Sequence, residues 1–202
     1  MKNYKLFFIL SAFVISIPIF LSSCSNAPKN NISNRLKLFG VSLQNPNRKA
    51  LESAIKRAGL IPLREGFNDR CDRYKVTGQL GKASKLYVCY TQNNKFAYAM
   101  YAFPASMNAK LMEQYVIAMV LDKYGQPNAI VGDYSQGNVT EYWGFGSNEE
   151  IRIFSGLQNA TVYLKLINIP HDNRLPYELH NQKEEQIAKK AAKKVKSQGN
   201  AF

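Results

Sequence analysis

The sequence predicts an α+β fold: two similar helix-plus-antiparallel-meander halves packed helix on sheet, followed by a basic helical C-terminal tail. Two stretches, "NPNRKALESAIKRAGLIP" and "SMNAKLMEQYVIAMVLDKYGQP", carry apolar residues at helical spacing and end in Gly and then Pro. Each is followed by short runs that alternate large and small side chains. No helical pattern separates those runs, so they read as meanders and not as βαβ units. The segments also echo one another: "KRAGLIP" returns as "DKYGQP", and "NKFAYAMYAFP" as "NATVYLKLINIP". The halves are placed at 37–104 and 106–170 of a single globular domain covering 36–170.

The chain opens with Lys2 and Lys5, and from Leu6 to Leu21 only Ser11, Ser16 and Pro18 interrupt an apolar or small run. That layout is a secretory leader, residues 1–23. Its end, Leu21-Ser22-Ser23-Cys24, resembles the lipobox of bacterial lipoproteins cleaved by signal peptidase II. The resemblance implies cleavage before Cys24, a diacylglycerol on its thiol and an acylated amino end, hence a membrane anchor. Stable anchoring takes two lipid signals. Plain cleavage, or an uncleaved helix, is the alternative; Pro18 and the paired serines favour cleavage. Ser25, where Asp would retain the protein at the inner membrane, resembles the outer-membrane sorting pattern. The expected location is the bacterial cell envelope, outer membrane, facing the periplasm.

Removing 23 of 202 residues leaves 179, enough for one domain with a core. The leader holds two lysines and no acid, so the net charge falls from +13 to +11. An exported chain does not routinely meet nucleic acid, so the basic balance points to anionic lipid, lipopolysaccharide or an acidic protein surface. A solvated basic surface explains the charge equally well. With Cys24 lipidated, Cys71 and Cys89 remain as an even pair in an oxidising compartment.

"SNAPKNNISNR" after Cys24 reads as a flexible tether, so 24–35 joins anchor to domain. "LKLFGVSL" is the expected first strand. Asn45 or Asn47 caps the first helix, Pro46 suits its first turn, and Leu51, Ala54, Ile55 and Ala58 form its apolar stripe. Gly59 suits a left-handed C-cap and Pro62 blocks continuation. Strands follow at 73–77, 85–90 and 95–103, with Asn93-Asn94 in a tight turn. Folding the first two about Leu80 sets Cys71 opposite Cys89, so a cross-strand disulfide fits; two buried free thiols are the alternative. Ser106 is the expected N-cap of the second helix, Gly125 ends it, and Met112, Tyr115, Val116, Met119 and Leu121 face inward. Strands are expected at 139–144, 150–155 and 160–168, and "GFGSNEE" is a hairpin turn between two of them.

"LFGVSL", "KYGQP" and "KFAYAMY" together resemble the small bacterial envelope domains of the BamE/SmpA type and the tandem architecture of β-lactamase-inhibitor proteins. The resemblance covers Leu36 to Pro170 in pattern. It implies helices on an antiparallel sheet used as a protein-binding platform, with no individual residue carried over. The duplicated, longer layout and the tail depart from it.

The tail, 171–202, has a different composition. From Gln182 to Lys196 six lysines face two glutamates, a local charge of +4. Glu184 and Glu185 come early and the lysines late, which suits a helix dipole. Ile187, Ala191 and Val195 make only a thin stripe. Lys189, Lys190, Lys193, Lys194 and Lys196 are the candidate residues for binding an anionic surface; a frayed, solvated helix is the competing reading.

Chemistry is harder to find. His171 and His180 are the only histidines, and no GxSxG, HExxH, phosphate-binding or dinucleotide motif occurs. No catalytic residue, metal site or cofactor is expected. "REGFNDRCDRY" crowds Arg64, Glu65, Asp69, Arg70, Asp72 and Arg73 together. A glycosidase carboxylate pair is disfavoured there, because neighbouring arginines lower carboxylate pKa values. Tyr74, Tyr87, Tyr90, Tyr98 and Tyr101 form either a binding face or sheet core, and Trp143 is expected in the core. The expected role is a non-enzymatic, membrane-anchored lipoprotein with a protein partner in an envelope assembly. The alternatives are an inhibitor of an acidic enzyme, or a cell-wall or lipid hydrolase using Glu141, Glu149 or Glu150.

Overall fold

The computed structural model describes residues 35–64, 66, 69–105, 108–133, 139–156 and 160–199. The leader, Cys24 and the tether through residue 34 lie outside these, as do Glu65 and Ser106.

The expected first strand folds back on itself. β1 (Lys37–Leu38) pairs antiparallel with β2 (Val41–Ser42) across a turn in which Phe39 and Gly40 both take positive φ. A phenylalanine in that conformation gives no sequence signal, so the turn reads as strand. Leu36, Leu38 and Leu43 are buried by the fold-back.

Helix α1 (Arg48–Arg57) starts where Asn47, itself extended, accepts a hydrogen bond from the Lys49 amide at 2.9 Å. Pro46 precedes the cap and is not in the first turn. At the far end the Leu60 amide reaches the Ile55 carbonyl and the Gly59 amide that of Lys56, with Gly59 at φ +84°. That pair of bonds is a Schellman motif, which needs a left-handed residue at the Gly59 position.

β3 (Ile61–Arg64), β4 (Cys71–Lys75), β5 (Lys85–Tyr90) and β6 (Phe96–Pro104) then run as an antiparallel meander. Asn94 takes the expected positive φ between β5 and β6. The second half repeats the plan. Helix α2 (Ala109–Tyr124) is capped by Asn108, whose side chain accepts from the Leu111 amide, and ends at Gly125 with φ +76°. β7 (Ala129–Val131), β8 (Thr140–Phe145), β9 (Glu149–Ser155) and β10 (Thr161–Asn168) follow.

The strands form one eight-stranded sheet in the order β3-β4-β5-β6-β10-β9-β8-β7. Each half supplies four consecutive strands, and the last strand of each half meets the other at the centre. The fold is α+β, and after the β1–β2 hairpin each half runs one helix and then four strands. Leu51 and Ile55 of α1 and Val116 and Val120 of α2 close over one face, against Leu86, Val88, Trp143, Ile151 and Leu164. The inward face of α2 is thus centred on Val116 and Val120; Met112, Tyr115, Met119 and Leu121 flank it half-buried. Trp143 is core, as expected, and its indole N–H donates to the Gly125 carbonyl at the end of α2.

Helix α3 runs from Ile169 to Gly199, longer than the Gln182–Lys196 stretch its composition marks. Leu175 and Leu179 pack on the other face of the sheet, against Cys71, Cys89, Ala97 and Tyr98. From Lys183 to Ser197 every residue is exposed.

Candidate functional site

Successive side chains in a strand point to opposite faces, so a sheet sealed by α1 and α2 on one face must present the alternate residues on the other. The register aligns them in rows. One row runs Arg64, Arg73, Tyr87, Met100, Lys165, Arg152, Tyr142, crossing β3 to β8. The next runs Ile61, Lys75, Lys85, Ala102, Tyr163, Phe154, Thr140. A third, Cys71, Cys89, Tyr98, Ile167, lies under the start of α3. Tyr87, Met100, Tyr142, Phe154 and Tyr163 are half-buried, and Lys75 and Lys85 are exposed. Among the described residues, no helix packs over the second row.

Three pairs in these rows set like charges directly opposite one another: Arg64 with Arg73, Lys75 with Lys85, and Arg152 with Lys165. Opposed like charges weaken a ladder by roughly 0.2–1 kcal/mol each. Acids relieve two of them. Asp69 pairs with Arg73, Glu150 with Arg152, and Asp172 of α3 with Lys165 at 2.8 Å. Lys75 and Lys85 have no acid partner among the described residues. Aromatic rings steady the cations: Lys165 Nζ lies 4.1 Å from the Tyr98 ring centre, Arg152 5.4 Å from that of Tyr142 and Arg73 5.8 Å from that of Tyr87. Phe154 and Tyr163 stack at 5.3 Å. Burial, with Asp172 and Asp69 nearby, pushes the Tyr98 hydroxyl up to about 12.

Cys71 and Cys89 are in register on β4 and β5, as the fold-back about Leu80 predicts, and their sulfurs sit at disulfide distance. They pin the strands that carry Arg73, Lys75, Lys85 and Tyr87.

The charged segment beside them separates into three contacts. Asp72, buried, receives Arg48 Nη2 of α1 at 2.7 Å and the Gly66 amide at 2.9 Å. Arg48 also reaches Glu52 and Asn94 and lies 4.7 Å over the Tyr90 ring. Asp69 accepts from the Cys71 amide and from Arg73; these outweigh burial and hold its carboxyl below the usual range. Arg70 turns to Gln182 on α3. Arg48 is the residue that sequence reasoning misses: it stands 24 positions from Asp72, so proximity in the chain points to Arg70 and Arg73 instead. A groove of about 740 Å³ opens beside it, lined in part by Asn45, Asn47, Lys49, Asn94 and Lys95.

Glu141 and Glu149 are buried, and Glu150 is half-buried and paired with Arg152. Burial, then the charge of Glu141, raises the Glu113 carboxyl under α2. His171 Nδ1 lies 2.8 Å from the Phe96 carbonyl, while His180 is exposed. Lys189, Lys190, Lys193, Lys194 and Lys196 all sit on the exposed part of α3. No helix of the described residues is long and apolar enough to cross a membrane.

No protein-family model matches the chain, and no curated protein matches it. Among solved structures it is similar to a DUF4309 family protein, YjgB, from Bacillus subtilis. The identity is 16% and the TM-score 0.41, over 67% of this chain and 89% of that one.

Proposed function

We propose that this chain is a lipid-anchored accessory of the bacterial envelope that binds a protein partner through the open face of its sheet and catalyses no reaction itself. The observation that carries the reading is the pair of rows across that face, where Tyr87, Tyr142, Tyr163 and Phe154 share the surface with arginine and lysine. Tyr, Phe, Met and Arg are the side chains enriched where proteins meet, because they bring large area at low entropy cost. Cys24 supplies the anchor in this reading, at the outer membrane facing the periplasm. The lysines of α3 from Lys189 to Lys196 lie against anionic headgroups or lipopolysaccharide, each adding about 1 kcal/mol near such a surface.

The test is crosslinking in native membranes followed by mass spectrometry of the captured neighbours. Wild type captures one reproducible envelope protein, and Tyr87→Ala with Tyr163→Ala abolishes that capture. In parallel, Cys24→Ser blocks maturation: the leader stays on and fatty-acid label is no longer incorporated. A Cys24→Ser protein that matures and partitions unchanged contradicts the anchor. Undiminished capture by the double tyrosine variant contradicts the platform.

A further inference from the structure

We infer that the β3–β5 half of the open face docks an acidic segment of a protein partner, with carboxylates bridging the Lys75–Lys85 pair. This rests on the platform reading above and names the chemistry of its partner.

The argument starts from a cost the fold carries without relief. Arg64 opposes Arg73 and Lys75 opposes Lys85 on adjoining rows, so four cations share one end of the sheet. Asp69 serves the arginines. Lys75 and Lys85 face each other across a ladder, exposed and without an acid among the described residues. A Lys-to-Glu change at either position would turn repulsion into attraction at no packing cost, since neither side chain is buried. A carboxylate from outside does the same, and its benefit appears only on binding.

The neighbours of this pair favour a polypeptide as the source of that carboxylate. Tyr87 stands diagonally beside it, half-buried and ready to seat an apolar side chain. Ile61, half-exposed at 50% on the edge strand, ends the same row as Lys75 and Lys85. An acidic stretch interleaved with apolar residues satisfies cations, ring and isoleucine together. A phosphate-rich surface satisfies only the cations. Four strand spacings from Ile61 to Tyr163 span about 19 Å, the length of a six-residue extended segment.

The test uses the full chain in nonionic detergent and a fluorescently labelled copolymer of glutamate and tyrosine as probe, read by anisotropy. Wild type binds, and tighter at low salt than at high. Lys75→Glu with Lys85→Glu weakens binding at least tenfold; Lys75→Gln with Lys85→Gln is the companion if reversal prevents folding. Lys75→Glu alone also raises Tm by about 2 °C, since it now attracts Lys85. Lys189→Glu with Lys193→Glu changes probe binding less than threefold. No probe binding by wild type overturns the inference, as does binding at wild-type strength by both the reversed and the neutral double variants; equal loss in both variants supports it. Loss of binding to phosphatidylglycerol vesicles on Lys75/Lys85 reversal with probe binding intact also overturns it and makes a lipid the occupant. In native membranes, capture that survives charge reversal but not tyrosine removal leaves the platform standing and removes only its acidic partner. Capture that survives both removes the platform itself.

Discussion

Arg48 decides whether Asp72 is tolerable where it lies. The carboxylate is buried, and its stabilising partners are the guanidinium 2.7 Å away and the Gly66 amide. Removing one member of a buried ion pair strands the other, at about 3–5 kcal/mol, whereas replacing both is far milder. Arg48→Ala therefore destabilises by about 3 kcal/mol in urea unfolding, and Arg48→Met with Asp72→Asn recovers most of the loss. The Cys71–Cys89 pair works on the unfolded chain. Closing a loop of 18 positions is worth about 3 kcal/mol in the chain-entropy model, so reduction lowers Tm by roughly 6–12 °C. Glu113 sets a pH dependence. Burial raises its carboxyl above the ordinary 4.5, so the folded state holds that proton more tightly than the unfolded chain. Its contribution to stability is complete below 4.5 and is lost as pH rises through the raised value. Thermal melts from pH 4.5 upward fall with pH, and Glu113→Gln flattens that fall. Of these three features only the disulfide is readable in the sequence, because its two cysteines are mirror positions about one turn. Asp72 and Glu113 owe their state to α1 and β8, which local spacing does not reveal.

Helix ends are the most readable elements, because caps are local chemistry. Asn47 and Gly59 act where their types predict, and Gly125 likewise. Gly59→Ala forces a Cβ into a left-handed residue 3.1 Å from Gln79 Nε2, so it costs about 1 kcal/mol, read as a lower urea midpoint. Strands β3 and β7 escape notice because they are short edge strands whose residues are all exposed. Pro62 argues against a strand, yet an edge position needs no ladder N–H from it. α3 is under-read for a similar reason. Pro176 signals a break, but near the start of a long helix the loss of one hydrogen bond is offset by Leu175 and Leu179 packing on the disulfide. From Lys183 to Ser197 the helix is exposed, so removing residues 183–202 leaves Tm within about 1 °C while vesicle binding falls.

The domain joins two helix-then-four-strand halves whose last strands meet in one sheet, and this makes it asymmetric in use. One face is consumed by α1 and α2. On the other, α3 covers the Cys71–Ile167 row and reaches Lys165 of the next row through Asp172, leaving the Lys75–Lys85 row uncovered among the described residues. The halves and their helices follow from repeated patterning. The rows do not, since they depend on long-range register between strands up to 69 residues apart in sequence, such as Tyr98 beside Ile167. Placement at a membrane still rests on Leu21 to Cys24.

A photo-activatable residue at position 87, illuminated in native membranes, tests the open face most directly. A discrete adduct to one envelope protein is predicted from position 87, with none from Lys56 on the exposed side of α1. Adducts from position 56 and none from 87 would contradict it.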